Sequence, residues 1–275
     1  MQTRICHVLS LVMQGNVALR TGSPLNFDEQ AFGLPQDGVQ FQHLFDSGRG
    51  WETDLFASNS LEWIEKLRGI GCQELRAYRL PSNHPELADW MTSGFVAGGG
   101  RWMIRALCSY GQDYWEPGWA FQESDNPGSG IWRVQYGRII RADQGLPPIA
   151  PSVSEAAAEF RSALGQARAF AVRNDLPYAP TFDAALAILN KRGASSSSVF
   201  GSGGGLKSDA LALGSACEAA WVFGAMGSWN DHGFAAEGQP DYAQVSERLY
   251  LAITSGLVAA SNASARQKWW RRWHS

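Results

Sequence analysis

The sequence predicts an α+β protein, with an antiparallel sheet-rich N-terminal half packed with a C-terminal helical subdomain. Three observations carry this reading. Apolar residues alternate with period two in several segments before residue 140, which places every second side chain on one face of a strand. Pro147, Pro148 and Pro151 then interrupt that pattern. From Val153 onward alanine and other helix formers dominate, with apolar residues recurring three and four positions apart.

The elements follow in order. Arg4 to Leu19 contains the apolar stretch Val8 to Met13, followed by Gln14, Gly15 and Asn16 rather than a cleavage site, and is read as part of the mature structure. Leu61, Ile64 and Leu67 have helical spacing, Asn59 and Glu62 are spaced like a capping box, and Gly69 is placed to end the helix. Strands are expected where Arg76, Tyr78 and Leu80 alternate with Leu75 and Ala77, where Trp102, Ile104 and Ala106 alternate with Met103, Arg105 and Leu107, and where Trp132, Val134 and Tyr136 alternate with Ile131, Arg133 and Gln135. Pro117 and Gly118 make Tyr114 to Phe121 an edge strand, a bulged strand or a loop rather than a central strand. The turn signal Asn126 to Gly130 fits an antiparallel meander.

A boundary is placed near residue 150, giving 1–150 as the sheet-rich region with a short helix and 151–275 as a region of about four helices, the two sharing one core or not. Phe160, Leu164, Ala167 and Ala171 form the stripe of the first of these helices; Thr181 is read as the cap of the second, which Gly193 follows. The Ser and Gly run from Ala194 to Gly205 reads as a loop, mobile or tightly turning, before a third helix. Tyr242, Val245, Leu249, Ile253, Gly256 and Ala260 define the last helix after Pro240.

Composition narrows the function classes. Of the 275 residues, 45% are hydrophobic and 18% charged, a globular balance, and the formal charge of −3 gives no overall attraction for phosphate backbones or acidic membranes. Cys6, Cys72, Cys108 and Cys217 are scattered without a CxxC pair, so reduced thiols and a cytoplasmic location are expected and no zinc site is. The apolar stretch around Ala219 to Met226 is far below the ~18 residues that suggest a membrane span. His7, His43 and His84 lack the HExxH spacing of a metalloprotease, and no metal or cofactor is expected.

Several local patterns carry candidate chemistry. Gly201 to Ser208 superficially resembles a phosphate loop, but Leu206 stands where the motif needs Gly before Lys207, so a plain loop is favoured. Ser228, Trp229, Asn230, Asp231 and His232 gather a hydroxyl, an indole, an amide, a carboxylate and an imidazole after an apolar helix. Asp231 is suited to orient a base and His232, with a reference pKa near ~6.5, to move protons; the same residues also fit a helix stop in which side chains bond local backbone. Asp113, Glu116, Glu123 and Asp125 lie among Tyr114, Trp115, Trp119 and Phe121, a mixture that fits either a sugar groove or a half-buried sheet with acidic loops. The end of the chain, Lys268, Trp269, Trp270, Arg271, Arg272, Trp273 and His274, is basic and Trp-rich; it suits contact with nucleic acid, a membrane surface or protein, or docking onto the protein's own surface.

The leading expectation is a noncatalytic binding or assembly protein, with a protein partner or homo-oligomer favoured, because aromatic surface candidates are plentiful and no complete catalytic constellation is visible. Its expected binding residues are Trp229, Asn230, Trp269, Trp270, Arg271, Arg272 and Trp273. The alternatives are a hydrolase with a polar site around Asp231 and His232, and a nucleic-acid or membrane-surface contact through the tail.

Overall fold

The computed structural model describes residues 1–27, 38–46, 51–82, 86–95, 98–123, 130–139, 150–190, 199–201, 205–224, 226–233 and 238–265, with backbone alone at 44–46, 51–52, 119–123 and 130–133. The basic tail from Lys268, with Trp269, Trp270, Arg271, Arg272 and Trp273, lies outside the described residues, as do His84 and Asp125. The chain divides into two compact units, one formed by residues 3–78, 102–147 and 264–275, the other by 1–2, 79–101 and 148–263. No helix among the described residues is long and apolar enough to cross a membrane.

The protein is α+β, with a six-stranded sheet in the order β2-β1-β6-β5-β4-β3. The strands are β1 (Val39–Asp46), β2 (Trp51–Ala57), β3 (Glu74–Leu80), β4 (Arg101–Cys108), β5 (Gly111–Glu123) and β6 (Gly130–Ile139). The expectation of an antiparallel sheet needs correction, because β1 pairs with β6 in parallel, Val39 opposite Val134 and His43 opposite Arg138. A parallel pair cannot be closed by a tight hairpin. The chain supplies the long connection by running through β2 to β5 between the two partners, and local turn signals carry no trace of such a pairing.

Tyr114 to Phe121 also differs from expectation, since β5 is a central strand between β4 and β6. The β4 register on it runs only from Cys108↔Gly111 to Ile104↔Trp115, whereas the β6 register continues through Pro117↔Tyr136 to Glu123↔Gly130. Pro117, which has no N–H to give, falls where β5 has outrun its β4 register, so it is tolerated as on an edge.

Two helices belong to the same unit as most of the sheet. The first, α1 (Thr3–Thr21), is buried along almost its whole length, including Arg4, His7, Ser10, Gln14 and Asn16. Because every face is covered it has no amphipathic stripe, which explains why its sequence does not announce a helix. The second, α2 (Ser60–Gly69), is capped where expected by Asn59, whose side chain accepts the Glu62 N–H at 2.8 Å, but the Glu62 carboxylate accepts the N–H of Ser58, one residue before the cap, at 2.8 Å in place of the N–H of Asn59. It stops in a Schellman turn, with Cys72 N–H donating to Leu67 O at 2.8 Å and Gly71 N–H to Arg68 O at 3.0 Å. Gly71, at φ +76°, supplies the left-handed step, so the decisive glycine is this one rather than Gly69. Trp63 of α2 stacks on Phe41 of β1 with centroids 4.4 Å apart, Phe41 stacks on Tyr136 of β6 at 5.0 Å, and Trp115 of β5 meets Trp63 edge-on at 5.8 Å. These rings, all buried, form the core between α2 and the sheet.

The other unit holds α3 (Asp89–Thr92), α4 (Val153–Arg173), α5 (Ala179–Leu189), α6 (Ser208–Ala219) and α7 (Gln239–Asn262). Ser152 and Glu155 close a reciprocal capping box on α4. Thr181 does not cap α5: the helix starts at Ala179 behind Tyr178, and Pro180 occupies its first turn, where a missing N–H costs nothing. In the Ser and Gly run, Val199 and Phe200 turn inward and are buried. A Cβ on Gly214 of α6 would lie 2.4 Å from the Phe200 ring, so glycine is what lets that ring reach the helix.

Asn16 of α1 spans both hydrogen-bonding groups of one residue on the edge strand β3. Its Nδ2 donates to the Leu75 carbonyl at 2.8 Å and its Oδ1 accepts the Leu75 N–H at 2.8 Å, while Nδ2 also reaches Ser264 Oγ at 2.9 Å. The amide thus takes the place of a neighbouring strand. Replacing it in Asn16→Ala leaves both buried Leu75 groups unpaired and is expected to cost about 2–6 kcal/mol, at roughly 1–3 for each orphaned group. Urea denaturation at neutral pH should show Asn16→Asp at least as destabilised as Asn16→Ala, because it sets a buried carboxylate oxygen against the Leu75 carbonyl.

His7 of α1 is wholly buried, with Nδ1 2.7 Å from the Tyr136 hydroxyl. Burial pushes its pKa from 6.5 down to about 3, so the folded chain keeps it neutral where the unfolded chain protonates it. Its contribution to stability is therefore complete above pH 6.5 and is lost as the pH falls from 6.5 toward about 3. The limiting slope is about 1.4 kcal/mol per pH unit. Urea midpoints of the wild type should drop between about pH 7 and about pH 4, and His7→Leu should remove that component of the drop.

Candidate functional site

The loop singled out from the sequence lies between α6 and α7, and its polar side chains are bonded largely to their own backbone. Asn230 accepts the Gly224 N–H at 3.0 Å and donates to the Gly224 carbonyl at 3.0 Å. Ser228 Oγ donates to Asn230 Oδ1 at 2.5 Å and accepts the Gly224 N–H at 3.1 Å. Asp231 Oδ2 accepts the Gly227 N–H at 2.5 Å. Trp229 sits at the centre, fully buried, donating its indole N–H to Ser246 Oγ of α7 at 2.8 Å and its backbone N–H to Val222 O at 3.1 Å. Phe182 and Tyr178 meet its ring edge-on at 5.5 and 5.2 Å.

His232, unlike Asp231, reaches a residue outside its own loop. His232 Nε2 is 3.2 Å from the Tyr178 hydroxyl, which also donates to the Gly227 carbonyl at 3.2 Å. Burial, with the Asp231 charge adding to it, pushes the Tyr178 phenol above its ordinary pKa and keeps it protonated. An imidazole beside a phenol is suited to exchange a proton, while the Asp231 carboxylate is engaged by its own loop.

A second cluster, which the sequence did not single out as a unit, stands at one end of the sheet. Direct cross-strand pairing sets His43 of β1 beside Arg138 of β6, and Arg138 beside Trp115 of β5. Asp113 lies two residues from Trp115, on the same face and diagonal to Arg138. Its side chain is only 1% exposed, and the Arg138 guanidinium contacts it at 2.8 Å. The Tyr110 hydroxyl donates to the same carboxylate. Arg138 further donates to Tyr110 Oη at 2.9 Å and reaches His43 Nδ1 at 3.1 Å. Burial first, and the Arg138 charge second, lower the His43 pKa, so the ring is neutral and its Nδ1 is free to accept from the guanidinium.

Cys108 ends β4 on this face, opposite Gly111, and is half-buried; its thiol is within hydrogen-bonding reach of Cys72 and of Tyr110. The neighbouring Cys72 thiol, more than any other group, lowers its pKa against the opposing effect of burial; Tyr110 and the Arg138 charge act in the same direction as Cys72, and the Asp113 charge opposes them. Cys72 is buried, donates to the Glu74 carbonyl at 3.7 Å, and has its own pKa pushed up chiefly by the hydrogen bond to Cys108 and by burial.

Of the other sequence candidates, Tyr114 and Trp115 are core residues, Asp113 is committed to Arg138, and Glu116 is partly exposed. The side chains of Trp119, Phe121 and Glu123 lie outside those described, so the sugar-groove expectation extends into undescribed side chains. Residues 202–204 of the phosphate-loop-like run are likewise outside the described residues. The sequence did hold a signal for the second cluster: Cys108 precedes, and Tyr110 lies within, a tight Ser109-Tyr110 turn between two strands. What brought in Arg138 and His43 is strand order. No protein-family model, curated protein or solved structure matches the chain.

The buried Asp113 carboxylate gives this cluster an energetic test. Arg138→Met removes its cationic partner and is expected to destabilise the protein by about 3–5 kcal/mol in urea unfolding. Adding Asp113→Asn to Arg138→Met should recover part of that loss, because the charge left without compensation is then gone.

Proposed function

We propose that the protein is a noncatalytic binding or assembly protein, and that the partner is a second copy of the chain. The observation that carries this reading is the short segment around α3. Asp89, Trp90 and Ser93 turn inward, whereas Leu87, Met91 and Phe95, four residues apart, remain 44, 43 and 70% exposed. A short segment that buries its aspartate and leaves Leu87, Met91 and Phe95 exposed has the polarity of an interface element.

The inward side fixes that segment firmly. Asp89 pairs with Arg79 and accepts the Ser82 N–H at 3.1 Å, Trp90 meets the Tyr242 ring of α7 edge-on at 5.5 Å, and Tyr250 donates to the Gly99 carbonyl at 2.6 Å. Rigid presentation lowers the ordering cost of association. A two-fold contact would set identical uncharged side chains against one another, with no like-charge repulsion at its centre, and this favours self-association over a charged partner.

Sedimentation velocity across a concentration series tests the reading. The wild type is expected to approach twice the single-chain mass, and Met91→Glu with Phe95→Glu to remain at one chain with unchanged thermal stability. A wild type that stays at one chain, or a double variant that associates equally well, would sink the proposal.

A further inference from the structure

The turn at the end of α2 is held against the β4–β5 turn. Ser109 Oγ donates to the Ile70 carbonyl at 3.2 Å, and a Cβ on Gly71 would lie 2.8 Å from that oxygen, so a close approach and a positive φ both require glycine there. Beside it, Gln73 N–H donates to Leu107 O at 2.9 Å. These contacts, between strands that are neighbours in the sheet, set the residue after Gly71, Cys72, beside the residue before Ser109, Cys108. Neighbouring positions across a strand pair are about 4.5–5.5 Å apart at Cα. That interval falls within the roughly 4.4–6.8 Å over which a disulfide closes.

The two thiols are also unlike in the way a redox pair requires. Cys108 is half-buried, with Tyr110 and Arg138 favouring its thiolate against the Asp113 charge, whereas Cys72 is buried. We infer that Cys108 and Cys72 are a redox-active dithiol, in which Cys108 takes oxygen from a hydroperoxide and Cys72 closes the disulfide. The Cys108 thiolate attacks the terminal peroxide oxygen; the O–O bond breaks, and the alkoxide leaves and is protonated as an alcohol, leaving a sulfenic acid on Cys108. The Cys72 sulfur then attacks the Cys108 sulfur; the S–O bond breaks, and the hydroxide leaves as water with the Cys72 proton. The balance is one hydroperoxide and two thiols to one alcohol, one water and one disulfide, reset by two equivalents of a small thiol. This modification site is independent of the proposed self-association.

The test uses the full chain, one equivalent of hydrogen peroxide, thiol counting and non-reducing peptide mapping. The expected result is loss of two thiols together with a Cys72–Cys108 linked peptide, while Cys6 and Cys217, both buried, stay reduced. Cys72→Ala should stop at a sulfenic acid trapped on Cys108, and Cys108→Ser should leave Cys72 reduced. Since Cys72→Ala changes a buried side chain, wild-type alkylation by iodoacetamide supplies a second reading, with Cys108 expected to react at least tenfold faster than any other cysteine at neutral pH. Inertness of Cys108 to peroxide, oxidation of Cys108 without linkage to Cys72, or equal oxidation of Cys6 or Cys217 would each overturn the inference.

Discussion

Asp113 places a carboxylate where its side chain is 1% exposed, and a desolvated charge persists only if other groups replace the water it has lost. Arg138 and Tyr110 do so, and their positions are thereby constrained. The guanidinium, held to Asp113 on one side, presents its remaining N–H groups to His43 and Tyr110. Tyr110, held at its hydroxyl, lies two residues beyond the half-buried Cys108 in the β4–β5 turn and helps to lower the pKa of its thiol. A single buried acid therefore organises three strands, β1, β5 and β6, and the β4–β5 turn at one end of the sheet. Apolar stacking of Phe41, Trp63, Trp115 and Tyr136 fills the rest of that face, so the polar groups are confined to its end.

In the helical unit a different economy operates. The residues of the loop before α7 satisfy one another: Asn230 and Ser228 saturate Gly224, Asp231 holds Gly227, and the buried Trp229 anchors the whole through Ser246. A polar cluster with this much internal bonding builds a precise turn from local backbone. His232 and Tyr178 are its outward pair, joined at 3.2 Å. The contrast between the units is physical: in the sheet the bonds connect residues far apart in sequence, and in the loop they connect residues a few positions apart.

The same contrast governs how much was legible in the sequence. Capping of α2 by Asn59, the alternation of β3, β4 and β6, and the apolar stripes of α4 and α7 all involve residues within a few positions of one another, and the structure has them where the spacing puts them. β1 also carries alternation, Val39 and Phe41 against Gln40 and Gln42, and β2 carries it over Trp51, Leu55 and Ala57 against Glu52 and Asp54, broken by Phe56. α1 escaped because a helix buried on every face has no periodic signature.

By itself, then, the sequence determined the α+β class and the elements whose hydrogen bonds and apolar periods are local, since those interactions are fixed by spacing along the chain. Only the tertiary structure decided that β1 lies parallel to β6, that β5 is central despite Pro117, and that Cys72, Cys108, Tyr110, Asp113, His43 and Arg138 meet. His43 and Arg138 are 95 residues apart, and nothing in either neighbourhood encodes the other. Their encounter follows from strand order, which is selected by burying the whole aromatic face at once rather than by any short segment's own preference.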